Sequence, residues 1–163
     1  MNIRNENESD IQQITLIHDQ AFNGPDEGKI VEKLRKNNRL TISLVYKLEN
    51  MVVGHIAYSP VYNKGEVIGL GLAPVAVLPD FQKLGIGSAL INAGNEIAAS
   101  KEYLRIFVIG YPNYYSRFGF VLAKEYNYFS KYDLDGGHFM ILKDDIKPEA
   151  EKVDVEYCTE FDG

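Results

Sequence analysis

A single cysteine, three histidines and no long apolar run set the first limits on this 163-residue chain. One thiol, Cys158, rules out an internal disulfide and points to a reducing cytoplasm. It sits among Glu156, Glu160 and Asp162, where negative charge disfavours the thiolate that a nucleophile needs. His18, His55 and His138 lack metal-ligand spacing with one another or with Cys158, so no metal is expected. No Ser-His-Asp pattern is recognisable. No apolar stretch approaches the roughly 20 residues of a membrane span, and the polar segment after Met1-Asn2-Ile3-Arg4 is unlike a secretory leader. Positive charge is in deficit, with 17 Lys and Arg against 23 Asp and Glu, a net charge of −6. That balance argues against nucleic acid and suits a cationic amine. The acidic tail from Glu149 is most simply a solvated surface. Apolar content of 45% and charged content of 25% are ordinary globular values. With no repeat, low-complexity tract or linker, residues 1–163 are expected to form a single domain.

The most informative stretch is Val75 to Leu90, V-A-V-L-P-D-F-Q-K-L-G-I-G-S-A-L. An apolar strand from Val67 to Val77 meets Leu78-Pro79-Asp80-Phe81, where proline cannot donate to a sheet ladder. Ile86, Leu90, Ala93 and Ile97 then recur at helical spacing, which puts Gly85 and Gly87 in a first turn. A helix opening carries unpaired N–H groups and a partial positive charge, which together attract a phosphate. Glycine lets that backbone approach the anion closely. The glycines alone fit an ordinary strand-to-helix turn equally well. They form neither a Walker loop, since no G-K-[ST] follows, nor the G-x-G-x-x-G of a dinucleotide site.

In chain order, Ile3 to Asn5 reads as a short strand. Ser9 or Asp10 caps a helix carrying Ile11, Ile14, Ile17 or His18, and Ala21 on one face. Asn23-Gly24-Pro25-Asp26 breaks it, and a second helix spans about Glu27 to Asn37. Thr41 to Leu48 and Met51 to Val61 read as a hairpin around Glu49-Asn50. Gly65 to Val77 is the long fourth strand, and Leu104 to Ile109 is a fifth after the glycine-turn helix. Pro112 suits a first helical position and Gly119 a C-terminal cap, so a short helix lies between them. Phe139 to Leu142 is the clearest late strand, with Val153 to Tyr157 as a last one.

Gln82-Lys83-Leu84-Gly85-Ile86-Gly87 resembles the Q/R-x-x-G-x-G/A signature of the GCN5-related N-acetyltransferase (GNAT) superfamily. A second segment, Tyr115-Ser116-Arg117-Phe118-Gly119-Phe120, resembles the Y-x-x-x-G-F element of the same enzymes. The fuller G-Y-P-N-Y-Y-S-R-F-G-F from Gly110 is similar to the YhbS-like branch of uncharacterised bacterial acetyltransferases. G-H-I-x-x-S-P-V from Gly54 and V-x-Y-x-x-x-F from Val155 fit that branch too, so the resemblance covers nearly the whole chain. It implies an α/β fold whose central, mostly antiparallel mixed sheet splays between strands 4 and 5 and is flanked by helices. The order β-α-α-β-β-β-α-β-α-β-β matches it.

The resemblance also implies a chemistry: acetyl-coenzyme A as acyl donor, no metal, and direct attack by a primary amine, expected to belong to a small molecule. A homodimer is compatible with it, as are a protein amine as acceptor and another acyl chain. A non-catalytic acyl-coenzyme A sensor is the reading from outside the enzymes. In the family the turn holds the pyrophosphate, which here falls to Gln82, Lys83, Leu84, Gly85, Ile86, Gly87 and Ser88. The backbone of Val75, Ala76 and Val77 matches the strand that pairs with the pantetheine arm and polarises the thioester. A plain buried strand explains these valines as well. Tyr115 is carried over as the general acid for the departing thiolate, with Tyr111 and Tyr114 as adjacent competitors. Many relatives hold a glutamate on the fourth strand as base, but Val67 to Val77 contains no ionisable side chain. Glu66 lies too far back, His55 reads better as a structural histidine, and Asp26 and Glu27 fit an acceptor entrance or a helix N-terminus. No catalytic base is assigned.

Overall fold

The structure is a computed structural model that describes residues 2–163. Strand β1 (Ile3–Asn5) leads through a short 3-10 turn into α1 (Ile11–Phe22). Asn7 opens that turn with a capping box, its side chain accepting from the Ser9 amide while Asp10 accepts from its own. Ile14, Ile17 and His18 form the buried stripe of α1, and Asn23 ends it in the left-handed region at φ 54°. Helix α2 (Asp26–Lys36) begins with Asp26 and Glu27 and ends with Lys33, Arg35 and Lys36, an arrangement that complements the helix dipole.

Strands β2 (Ile42–Leu48), β3 (Met51–Asn63) and β4 (Glu66–Val77) follow as an antiparallel meander. Next come α3 (Ile86–Ser100), β5 (Ile106–Ile109), α4 (Pro112–Tyr115) and β6 (Phe120–Leu122). The chain closes with β7 (Tyr128–Phe129), β8 (Phe139–Leu142), β9 (Val153–Asp154) and β10 (Glu156–Tyr157). The main sheet runs β1-β2-β3-β4-β5-β8-β6, with β10 added beside β3, while β7 and β9 pair separately. All its pairings are antiparallel except β4 with β5. This is the mixed, mostly antiparallel sheet expected.

Two apolar clusters hold the layers together. One joins Ile14 and Ile17 of α1 with Ile56, Leu72 and, from α3, Leu90 and Ile91. The other groups Val61, Phe107, Phe139, Ile141 and Tyr157. Full burial of each such side chain contributes about 1.5–3 kcal/mol. The expected last strand, Val153 to Tyr157, divides in two. Asp154 pairs with Phe129 and Tyr157 with Val61, with buried Val155 as the joint. Three residues of β6 and two of β7 are too short to show a period in sequence.

Among the described residues no helix is long and apolar enough to cross a membrane.

Candidate active site

The site grows from the end of β4. Its parallel pairing with β5 extends only over Leu70↔Ile106 and Gly71↔Phe107. Beyond Gly71 the two strands part, and the edge of β4 from Leu72 to Val77 has no partner on β5. Such an edge presents free N–H and C=O groups to any extended chain that enters.

After Val77 the backbone folds through Pro79–Phe81 into the opening of α3. Lys83 at φ 65° and Gly85 at φ 85° both occupy the left-handed region, which at position 85 favours glycine. Ala89 donates to the Gly85 carbonyl, and the amides of Ile86, Gly87 and Ser88 make up the open helix end. The Gln82 side-chain amide donates to the Val77 carbonyl at 2.9 Å and so braces the strand end against the turn.

Strand end and helix opening share one cleft of about 600 Å³. Val75, Ala76 and Val77 line it, together with Gln82, Lys83, Gly85, Ile86, Gly87 and Ser88. Leu84 belongs to the turn but points outward, 67% exposed. Five further residues complete the wall: Ala21 and Phe22 of α1, then Phe81, Tyr114 and Arg117. Of these, the sequence singled out only Tyr114, as a competitor of Tyr115 for the acid role, and gave the other four no role. Tyr114 and Arg117 lie within the quoted Gly110–Phe120 segment, but nothing local to α1 points to Ala21 and Phe22. Arg117 stacks its guanidinium 4.7 Å from the Tyr114 ring centre, and with Lys83 it supplies the cleft's positive charge.

Tyr114 forms the cleft wall, its hydroxyl 3.4 Å from where a Cβ on Gly87 would stand. Tyr115, the expected acid, is not among the residues that line the cleft. The two rings are 5.0 Å apart and perpendicular, and Tyr115 also packs edge-on against Phe120. Burial, with Tyr114 adding to it, pushes the Tyr115 phenol up to about 12.

His55 is fully buried and makes no part of this cleft. It belongs to a chain of polar groups beneath α1. His55 Nε2 lies 2.8 Å from Ser43 Oγ, Ser43 reaches Glu6, and Arg35 holds Glu6 at 2.7 and 3.0 Å. On the other side His55 Nδ1 meets His18 Nε2 at 2.8 Å. Burial opposes charge on Glu6, but His55 close by and the bonds from Arg35 and Ser43 outweigh it and hold the carboxyl well below its usual range. The ionised carboxylate orients the chain. Ser43 donates to Glu6, His55 donates to Ser43, and His18 donates to His55. Burial keeps both imidazoles neutral, as this orientation requires.

Burial, then His55 nearby, pushes His18 down to about 3, and burial lowers His55 against the pull of Glu6. An imidazole whose folded pKa is depressed binds protons better when unfolded. Its contribution is complete above about 6.5 and is lost as pH falls from there toward the folded value. The expected loss approaches about 1.4 kcal/mol per pH unit for each imidazole. Urea unfolding at pH 7 and pH 5 measures it, and equal midpoints would contradict the neutral pair.

Asp133, Asp135 and His138 form the one close group of potential metal ligands among the described residues. Their bonds are already used in shaping the loop before β8. Asp133 accepts from the amides of His138 and Phe139, and Asp135 from the Gly137 amide and His138 Nδ1.

The geometry agrees with the kinship of the chain. Residues 39–122 match the model of the acetyltransferase (GNAT) domain. The chain is 34% identical over 129 residues to the uncharacterized N-acetyltransferase YhbS of Escherichia coli, spanning 78% of this chain and 77% of that one. It is likewise 34% identical over 117 residues to YjhQ of the same organism, spanning 69% of this chain and 65%, just under two thirds, of YjhQ. The structure of YhbS from E. coli in complex with CoA superposes with a TM-score of 0.91 at 30% identity, covering 99% of this chain and 91% of that one. A GNAT acetyltransferase from Brucella melitensis in complex with acetyl-CoA gives 0.81 at 34% identity, covering 98% and 96%. The chain belongs to the GNAT acetyltransferase family.

Proposed function

We propose that this protein transfers an acetyl group from acetyl-coenzyme A to the primary amine of a small molecule, by direct attack, in a reducing cytoplasm. One observation carries the reading: a free strand edge runs into an open, positively charged helix end inside a single cleft. An extended pantetheine arm needs the first and a pyrophosphate the second. The donor supplies a thioester whose carbonyl carbon takes up the amine.

The residues divide the work. The amides of Ile86, Gly87 and Ser88 receive phosphate oxygens, and Lys83 and Arg117 balance their charge. Backbone N–H groups of Val75 to Val77 hold the arm and polarise the carbonyl. Gln82 keeps the strand end and the turn in register through Val77. As the N–C bond forms and the C–S bond breaks, Tyr115 gives its proton to the departing sulfur, the nitrogen's surplus proton leaves to water, and water returns a proton to the Tyr115 phenolate.

No side chain of β4 within the cleft can take that proton, and the buried histidines lie outside it. The rate should then follow the ionisation of the acceptor itself. An amine of pKa near 10 is only about one part in a thousand neutral at pH 7, and the fraction rises about tenfold per pH unit. Turnover is expected to climb from pH 6 to 9, more steeply for strongly basic amines than for weakly basic ones. A plateau that sets in below the ordinary histidine range and vanishes in His55→Ala would contradict this and make His55 the base.

A further inference from the structure

An acyl donor has a phosphate end and an acyl end, and the two faces of the sheet at the close of β4 differ in what they offer. Residues directly opposite on neighbouring strands turn their side chains to the same face. Val77 lies opposite Gly54, and a Cβ on Gly54 would meet Ile86 and Leu90 of α3. Val77 therefore belongs to the α3 face, and its Cγ2 stands 3.9 Å from where a Cβ on Gly87 would be. Ala76 lies opposite His55, whose ring meets His18 of α1 edge-on at 5.0 Å. Ala76 therefore belongs to the α1 face. The open helix end suited to a pyrophosphate is on the first face, and α1 packs over the second.

Phe22 stands on that second face, at the level of Ala76. Its ring stacks on His18, one turn earlier in α1, at 6.0 Å between centres and 3° between planes. His18 is fully buried and meets His55 Nδ1 at 2.8 Å, so the phenyl ring rests on a fixed support. Phe22 nevertheless keeps 41% of its surface exposed, and it lines the cleft with Ala21 and Ala76. Here two methyl side chains leave room and one aromatic ring takes it up. An arm that bonds the edge of β4 lies in the plane of the sheet and comes from the α3 side. Once its carbonyl reaches Val75 to Val77, the group beyond that carbonyl arrives at the α1 face. The apolar surface of Phe22 then meets an apolar chain.

We infer that Phe22 sets the length of the acyl chain, its ring closing the acyl end of the cleft beside Ala21 and Ala76 so that an acetyl group enters and longer chains do not. The assignment rests on the acetyl-transfer reading above. The ring makes and breaks no bond; it acts by its volume.

Calorimetric titration of coenzyme A, acetyl-coenzyme A and butyryl-coenzyme A into the parent and into Phe22→Ala tests it without any acceptor. The parent should bind acetyl-coenzyme A about tenfold or more tightly than butyryl-coenzyme A, since a filled site resists two added methylenes. In Phe22→Ala that preference should shrink to about twofold or reverse, while free coenzyme A binds as in the parent. Phe22→Leu keeps an apolar side chain at the end of α1 and should move the preference the same way by less. It carries the test should the alanine variant fail to fold. No preference in the parent, or an equal one in parent and folded variants, would overturn the assignment. Weaker binding of free coenzyme A in the variants would overturn it too, by placing the ring against the pantetheine arm. A parent that bound neither coenzyme A nor acetyl-coenzyme A would instead overturn the acetyl-transfer reading, and the Phe22 assignment would fall with it.

Discussion

Replacing Tyr115 with phenylalanine should lower turnover by about 10²–10⁴ while leaving coenzyme A affinity nearly unchanged. The ring that packs against Tyr114 and Phe120 remains, so the fold is preserved and only a proton donor is removed. A phenol near 12 is a weaker acid than a thiol of about 8.5, and its proton stays in place at any working pH. The transfer is driven by the poor solvation of a thiolate between donor and acceptor rather than by the acidity of the phenol. Steady-state kinetics of both proteins with one amine makes the comparison. Equal turnover would remove Tyr115 from the chemistry. Tyr114→Phe serves as the control. Tyr114 lines the cleft beside Gly87, so its loss should act on donor affinity more than on turnover. The reverse pattern would transfer the acid role to Tyr114.

Gly87→Asp should weaken coenzyme A binding by about 10²–10³. Position 87 is the second residue of α3, and a Cβ there would meet only the Tyr114 hydroxyl at 3.4 Å and Val77 Cγ2 at 3.9 Å, so the aspartate fits the fold. An acidic residue in a first helical turn is even favourable for the helix. Its carboxylate would occupy the space offered to the phosphates and repel them. Two charges about 4 Å apart near a protein surface interact by about 4 kcal/mol, which supports a change of that size. Calorimetric titration of the folded variant is the measurement. Unchanged affinity would mean that the pyrophosphate does not lie at α3.

Much of this architecture was legible in the residues. The run from Val67 to Val77, the proline stop and the helical spacing from Ile86 place β4 and α3 within a residue or two. Local chemistry governs those elements, so local pattern finds them. The Gly110–Phe120 segment likewise shows its short helix between Pro112 and Gly119. What escaped depends on contacts across long separations. Ala21 and Phe22 reach the cleft only because α1 packs over β3 and β4. The Glu6–Ser43–His55–His18 chain joins the segment after β1 to β2, β3 and α1, and no spacing in the sequence reports it. The side chains facing an acceptor come from such long-range packing, and for that reason the amine stays unnamed.

The central claim is acetyl transfer to an amine, and one measurement tests it most directly. The protein is incubated with acetyl-coenzyme A and a broad panel of primary amines at pH 8. Free thiol is followed by colour, and the products are weighed by mass spectrometry. The account predicts thiol release that depends on a particular amine, matched mole for mole by its acetylated form and abolished by Gly87→Asp. Tight coenzyme A binding with no thiol released from any amine would contradict it and leave an acyl-coenzyme A binding module.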